Sequence, residues 1–300
     1  MQTRESVLAA RLFSGLHSEE QPEKGSAELS LGLLDMMRGA EGDWTPLSRK
    51  HGDAETRDLM CRALMDSEES EVASIGQGIH RPFKVTFKDG IESGIMTTLK
   101  AVLKTVHFQF ENRRYCESVD TKITGPEREM LSYELDQLIG FDLTPPTIGR
   151  EIAVIGYGSL QAWADQPTAW QWIDRGYDYR KDKKNPWLHR LAAFDFIRGE
   201  IDRHSNNWIM DAERRVYAID NGYSFVKGDN RKWFRTSAGK HLKGTSIHPA
   251  VLGEIQSIDE AAVKDLLWGR NFQNDEEAGV LSRIRQLKGL RVWEKLGELW

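Results

Sequence analysis

Residues 189–225 read HRLAAFDFIRGEIDRHSNNWIMDAERRVYAIDNGYSF. An apolar helical pattern (Leu191, Ala192, Phe194, Phe196, Ile197) stops at Gly199, and Asp202, Arg203, His204, Asn206 and Asn207 then crowd into six positions. Burying so many polar groups in one short loop costs free energy unless they hydrogen-bond one another or a ligand, which marks a site more often than a strut. A hairpin pattern follows, Trp208 to Met210 and Val216 to Ile219 around the turn Asp211-Ala212-Glu213-Arg214, and it delivers a second acid, Asp220, in Asp-Asn-Gly. Phosphoryl transfer from a nucleotide needs what such a set supplies: a carboxylate to orient and deprotonate an attacking hydroxyl, and oxygen ligands for a divalent ion bridging the phosphates. A lone loop Asp is usually a cap or turn residue. The joint pattern carries the reading.

Asp202 and Asn207 have the plus-five spacing of a protein-kinase catalytic loop, and Asp220 has the place of its second acid. GEIDRHSNNWIMD followed by AIDNGYSF resembles the catalytic and metal-binding loops of the phosphatidylinositol 3- and 4-kinases. It equally resembles the atypical kinases of the secretory pathway that phosphorylate casein-like proteins, and their bacterial relatives including HipA-type kinases. Upstream, EMLSYELDQLIGFDLTPPTIGR (129–150) is similar to the helix and Pro-containing turn of the secretory-pathway group, and GSLQAWAD (158–165) to its hinge. The resemblance runs from about Lys84 to Phe225. It implies that Asp202 is the catalytic base, that Asn207 and Asp220 hold the metal, and that Arg203 and His204 brace the loop. ATP with Mg²⁺ or Mn²⁺ is the implied cofactor pair. At 207 this chain has an amide where the secretory-pathway kinases usually have an acid, so the subfamily stays open.

Elements able to position these groups are legible upstream. PFKVTF and GIMTTLKAVL flank Lys88-Asp89-Gly90, a strong hairpin signal, so an antiparallel sheet starts near Phe83. Thr124-Gly125-Pro126-Glu127 opens a helix with Met130, Leu131, Leu135, Leu138 and Ile139 at helical spacing, closed by Gly140 before Pro145 and Pro146. A further β-type run, Ile152 to Ile155, leads into Ser159 to Trp163, after which the pattern is helical. A kinase needs a sheet lysine for the phosphates, held by a helix glutamate. Candidates are Lys84, Lys88, Lys100 and Lys104, with Lys100 preferred and Lys104 its rival. The resemblance points to Glu129 as partner, although Glu134 falls inside the apolar stripe and is the geometric rival. Gly76 and Gly78 could belong to a loop over the phosphates, and by analogy Ser159, Leu160, Gln161 and Ala162 would line the adenine site.

The 300 residues, 39% hydrophobic and 29% charged with a net charge of −5, describe a globular chain without whole-molecule attraction to nucleic acid. No apolar run approaches a membrane span, and Arg4, Glu5 and Arg11 interrupt the start where a secretory signal would be apolar, so a cytoplasmic protein is expected, a secreted effector being the alternative. Two cysteines, Cys61 and Cys116, are too few for a disulfide framework. The expected architecture is α+β, a two-lobed protein-kinase-like fold: a helical extension (1–82, with helices at Ala27 to Arg38 and Ala54 to Met65), a small β-sheet N-lobe (83–160) and a mainly helical C-lobe (161–300). The basic stretch 227–243, with Lys227, Arg231, Lys232, Arg235, Lys240 and Lys243, is a candidate dock for an anionic acceptor. The expected activity is transfer of the γ-phosphate of ATP to Ser or Thr of a protein. A phosphoinositide or small-molecule kinase, a nucleotide-binding pseudokinase and an AMP transferase are the alternatives.

Overall fold

The computed structural model describes residues 54–75, 82–88, 98–105, 123–153, 155–226, 236–270, 272 and 274–293. Helix α1 (Ala54–Asp66) is followed by strands β1 (Glu68–Ser74), β2 (Phe83–Lys88) and β3 (Thr98–Thr105), helix α2 (Gly125–Ile139), and strands β4 (Thr147–Ile152) and β5 (Gly156–Ala162). The five strands form one antiparallel sheet in the order β1-β2-β3-β5-β4. Alternation gives this sheet two unlike faces. Val85, Phe87, Ala101, Leu103 and Leu160 are buried with Met60, Ala63 and Leu64 of α1 in one apolar cluster. Lys84 lies opposite Val102, Thr86 opposite Lys100, and Lys104 opposite Ser159, so these residues share the other face.

Two differences from the sequence reading concern boundaries. The stretch read as a helical extension to residue 82 contains β1, which pairs with β2 and forms an edge of the sheet. Its sequence, EESEVAS, is acidic and half exposed, so it lacks the apolar alternation of a covered strand. The run Ile152 to Ile155 is not a strand of its own; Ile152 ends β4 and Ile155 sits in the turn before β5. The expected helix at Ala27 to Arg38 lies outside the described residues.

Helix α2 has the termini its sequence announced. Thr124 accepts from the Glu127 N–H while Glu127 reaches back to the Thr124 N–H, a capping box, and Gly140 closes the helix at φ 74°. Its Leu131, Leu135 and Ile139 enter a second core built by the helical half, with Leu188, Leu191, Phe194, Phe196 and Trp208 among its members. That half contains α3 (Ala169–Asp174), α4 (Pro186–Arg198), the hairpin β6 (Trp208–Met210) with β7 (Val216–Ala218), then α5 (Ser237–Leu242), α6 (Pro249–Ser257), α7 (Glu260–Leu267) and α8 (Asn274–Gly289). Among the described residues no helix is long and apolar enough to cross a membrane.

Candidate active site

Gly199 ends α4 at φ 64°, a conformation that favours glycine, and a Cβ there would press on Val226 and Arg283. The chain then enters the polar loop around Arg203, which is buried. Its guanidinium donates to Asp195 Oδ1 (3.1 Å), to Asn221 Oδ1 (2.6 Å) and to the carbonyls of Asn207 and Ile219. Asn207 Nδ2 donates to the Asp202 carbonyl at 2.8 Å, and the Ile219 N–H donates to the Asn207 carbonyl at 3.2 Å. Four partners of the Arg203 side chain, with the Asn207–Asp202 bond, thus lace Asp202, Asn207 and the approach to Asp220 into a single unit. Burial works against the Arg203 charge, and the Asp195 and Glu200 carboxylates more than restore it.

Asp220 follows β7 with φ 55°, a left-handed conformation that Asp tolerates better than most side chains. Its Oδ1 accepts from Lys104 Nζ at 2.8 Å. Lys104 also pairs with Glu129 of α2, whose Oε1 in turn accepts the Asn221 N–H at 2.8 Å. A sheet lysine, a helix glutamate and the hairpin acid therefore meet at one point between the sheet and the helical half. Burial alone would push the Lys104 ammonium down, but Asp220 and Glu129 together hold it above the ordinary lysine value. Arg128, buried beside Glu129, donates to the carbonyls of Ser224 and Phe225, which ties α2 to the segment after Asp220.

The structure corrects the choice of lysine. Lys104, not Lys100, carries the pair with Glu129; Lys100 shares its face two side chains along β3. Glu129 is buried as the partner, while Glu134, half exposed, pairs with Arg270. Helix α2 is enclosed on several faces, so the apolar stripe did not identify its buried acid. The side chains of Leu160 and Ala162 belong to the apolar cluster behind the sheet, on the face opposite Lys104, so only their backbone groups are left for an adenine. Ser159 and Gln161 do lie on the Lys104 face, and Gln161 Nε2 donates to Thr147 Oγ1 at 2.9 Å. Arg203 holds the loop through the bonds given above, whereas the His204 ring is exposed and accepts the Asn206 N–H at 3.2 Å. Gly76, Gly78, Lys227, Arg231, Lys232 and Arg235 lie outside the described residues; Lys240 and Lys243 are exposed. Sequence reasoning missed Arg128, Asp195, Arg198, Glu200 and Asn221. The signal available was charge inside otherwise apolar helical patterns, as at Asp195 and Arg198 in α4.

No family model matches the chain. The Mycobacterium tuberculosis protein named Protein Rv2133c is 26% identical over 32% of this chain and 45% of its own length, so the match spans less than half of that relative. Among solved structures the fold is similar to that of the Golgi casein kinase, with a TM-score of 0.50 at 15% identity over 79% of this chain and 74% of that one. A second structure of the Golgi casein kinase, with Mn/ADP bound, gives 0.48 at 13% identity over 95% and 93% of the two chains. The Helicobacter pylori proinflammatory kinase CtkA gives 0.43 at 9% identity over 79% and 96%. The fold is α+β and kinase-like, a curled antiparallel sheet set against a helical half.

Proposed function

We propose that this chain is an ATP- and divalent-metal-dependent phosphotransferase that carries the γ-phosphate to a hydroxyl, that of a protein Ser or Thr. The observation that supports it most is the meeting of Lys104, Glu129 and Asp220, contributed by a strand, a helix and the loop after a hairpin. An ammonium has three N–H donors, so Lys104 bonded to two carboxylates retains one for a phosphate oxygen. Glu129 fixes where that donor points.

The donor set fits a hard divalent cation. Asp220 offers a carboxylate and Asn207 an amide oxygen, and Mg²⁺ characteristically takes one or two such ligands with the phosphates and water completing its shell. Among the described residues no group of three or more His, Cys, Asp or Glu is gathered for a metal, and this chemistry does not require one. Bound there, the ion would neutralise charge on the phosphates. Asp202 would take the proton of the acceptor hydroxyl, held in place by the bonds that its carbonyl and N–H make. Lys240 and Lys243, exposed on and just after α5, are the described members of the basic stretch that would attract an anionic acceptor.

The test is incubation with γ-labelled ATP and Mg²⁺ or Mn²⁺, followed by mass spectrometry of candidate protein, phosphoinositide and small-molecule acceptors. A gain of one phosphate on a protein hydroxyl is expected. A mass gain of AMP, or label only on a lipid or metabolite, would replace this reading, and nucleotide binding without any transfer would make the chain a binding module.

A further inference from the structure

Directly beneath the loop lie Asp195, Arg198, Glu200 and Arg203, all fully buried. A core tolerates such charge only when each member is held by the others. Asp195 Oδ1 stands 3.1 Å from both Arg198 and Arg203, and Glu200 Oε2 stands 3.7 Å from both. Arg198 also donates to Ser132 Oγ of α2 at 2.8 Å, which anchors the cluster to a second element. Glu200 differs from Asp195, the other acid, in what its second oxygen does: Oε1 accepts the Asp202 backbone N–H at 2.8 Å. One carboxylate therefore touches both the buried cluster and the residue assigned to take the proton.

We propose that Glu200 is the positioning residue of the loop: it pins the Asp202 backbone to the Asp195–Arg198–Arg203 cluster and so sets where the Asp202 carboxylate stands relative to Asn207 and Asp220. The catalytic consequence rests on the phosphotransferase reading; the positional role does not. Arg203 holds the carbonyls of Asn207 and Ile219 independently of Glu200. Releasing the Asp202 N–H thus loosens the base while the metal side stays in place, so the loss falls on kcat and spares the nucleotide KM.

Two substitutions separate the hydrogen bond from the charge. Glu200→Gln keeps an oxygen for the Asp202 N–H, and Glu200→Ala removes it. Glu200→Ala is expected to lower kcat about 100-fold, the scale of a small misplacement of a reacting group, with the nucleotide KM within about twofold. Glu200→Gln should retain about tenfold more kcat than Glu200→Ala, its remaining loss coming from the charge removed from the buried cluster. Amide hydrogen exchange of a peptide spanning 200–208 gives a readout free of activity: faster exchange in Glu200→Ala, unchanged exchange in Glu200→Gln, and a protected α4 peptide in both. Should α4 lose protection in Glu200→Ala, Glu200→Leu, which fills the space but offers no acceptor, is read in its place. Unchanged exchange at 202 without the acceptor, or equal losses in the Ala and Gln variants, would overturn the proposal. A parent protein that transfers nothing yet shows the expected exchange pattern overturns the phosphotransferase reading and upholds the role of Glu200.

Discussion

Lys104 and Lys100 differ by four positions on one strand, which places both side chains on the same face, and only the partners on the helix and the hairpin distinguish them. Lys104→Met should lower phosphate transfer by about 100-fold or more, the usual cost of losing a donor aimed at reacting charge, whereas Lys100→Met should change it by about threefold at most. The same assay separates the glutamates. Glu129→Gln removes a buried anchor and should lose activity; Glu134→Gln breaks a half-exposed pair with Arg270 and should cost less than about 1 kcal/mol of stability with transfer intact. Asp136 is a third case. Burial pushes its carboxyl up to about 7, against N–H bonds from Thr144 and Leu143. Unfolded, it titrates near 4, so as pH rises from about 4 to about 7 the unfolded chain has given up a proton that the folded chain keeps, and stability falls across that window and then levels off. Asp136→Asn offers an oxygen to the same two N–H groups without titrating. Its melting temperature minus that of the parent should climb over the window and stay constant above it. Asp202, Asn207 and Asp220 were legible because their spacing is local; the choice between Lys100 and Lys104 was not, since a period of two cannot distinguish positions four apart.

At the scale of elements, α2 was readable in detail because its boundaries are written in local chemistry: a Thr cap, an acid three residues on, and a Gly at the left-handed position after the end. Thr124→Ala should cost about 1 kcal/mol in chemical denaturation, the typical worth of such a cap. Its buried acid was less readable. Periodicity assumes one covered face, and α2 buries Arg128, Glu129, Ser132 and Asp136 as well as its apolar residues. Strand β1 was missed for the opposite reason, since an acidic edge leaves no apolar pattern to detect. The pairing of β3 with β5 is closer than either sequence suggests. A Cβ on Gly158 would collide with the backbone carbonyl of Lys104, so Gly158→Ala must displace one strand from the other and carry Lys104 with it. Weaker nucleotide binding by titration calorimetry, in a protein that keeps its far-ultraviolet spectrum, is the expected result.

Across the whole molecule, α2 contributes Leu131, Leu135 and Ile139 to the core of the helical half and Glu129 to the sheet lysine, so the two halves share a structural member. A nucleotide bound between them, as proposed above, would stabilise the folded chain by mass action, about 2.7 kcal/mol at one hundred times its dissociation constant. Mg²⁺ with ATP should therefore raise the melting temperature of the parent protein, and the shift should vanish in Lys104→Met. Helix α1 has a different consequence. Its Met60, Ala63 and Leu64 roof the rear of the sheet over Val85, Phe87, Ala101, Leu103 and Leu160. A chain begun at residue 67 would bare that greasy slab to solvent, and it should emerge from gel filtration as clumped material even with every residue of the cleft intact.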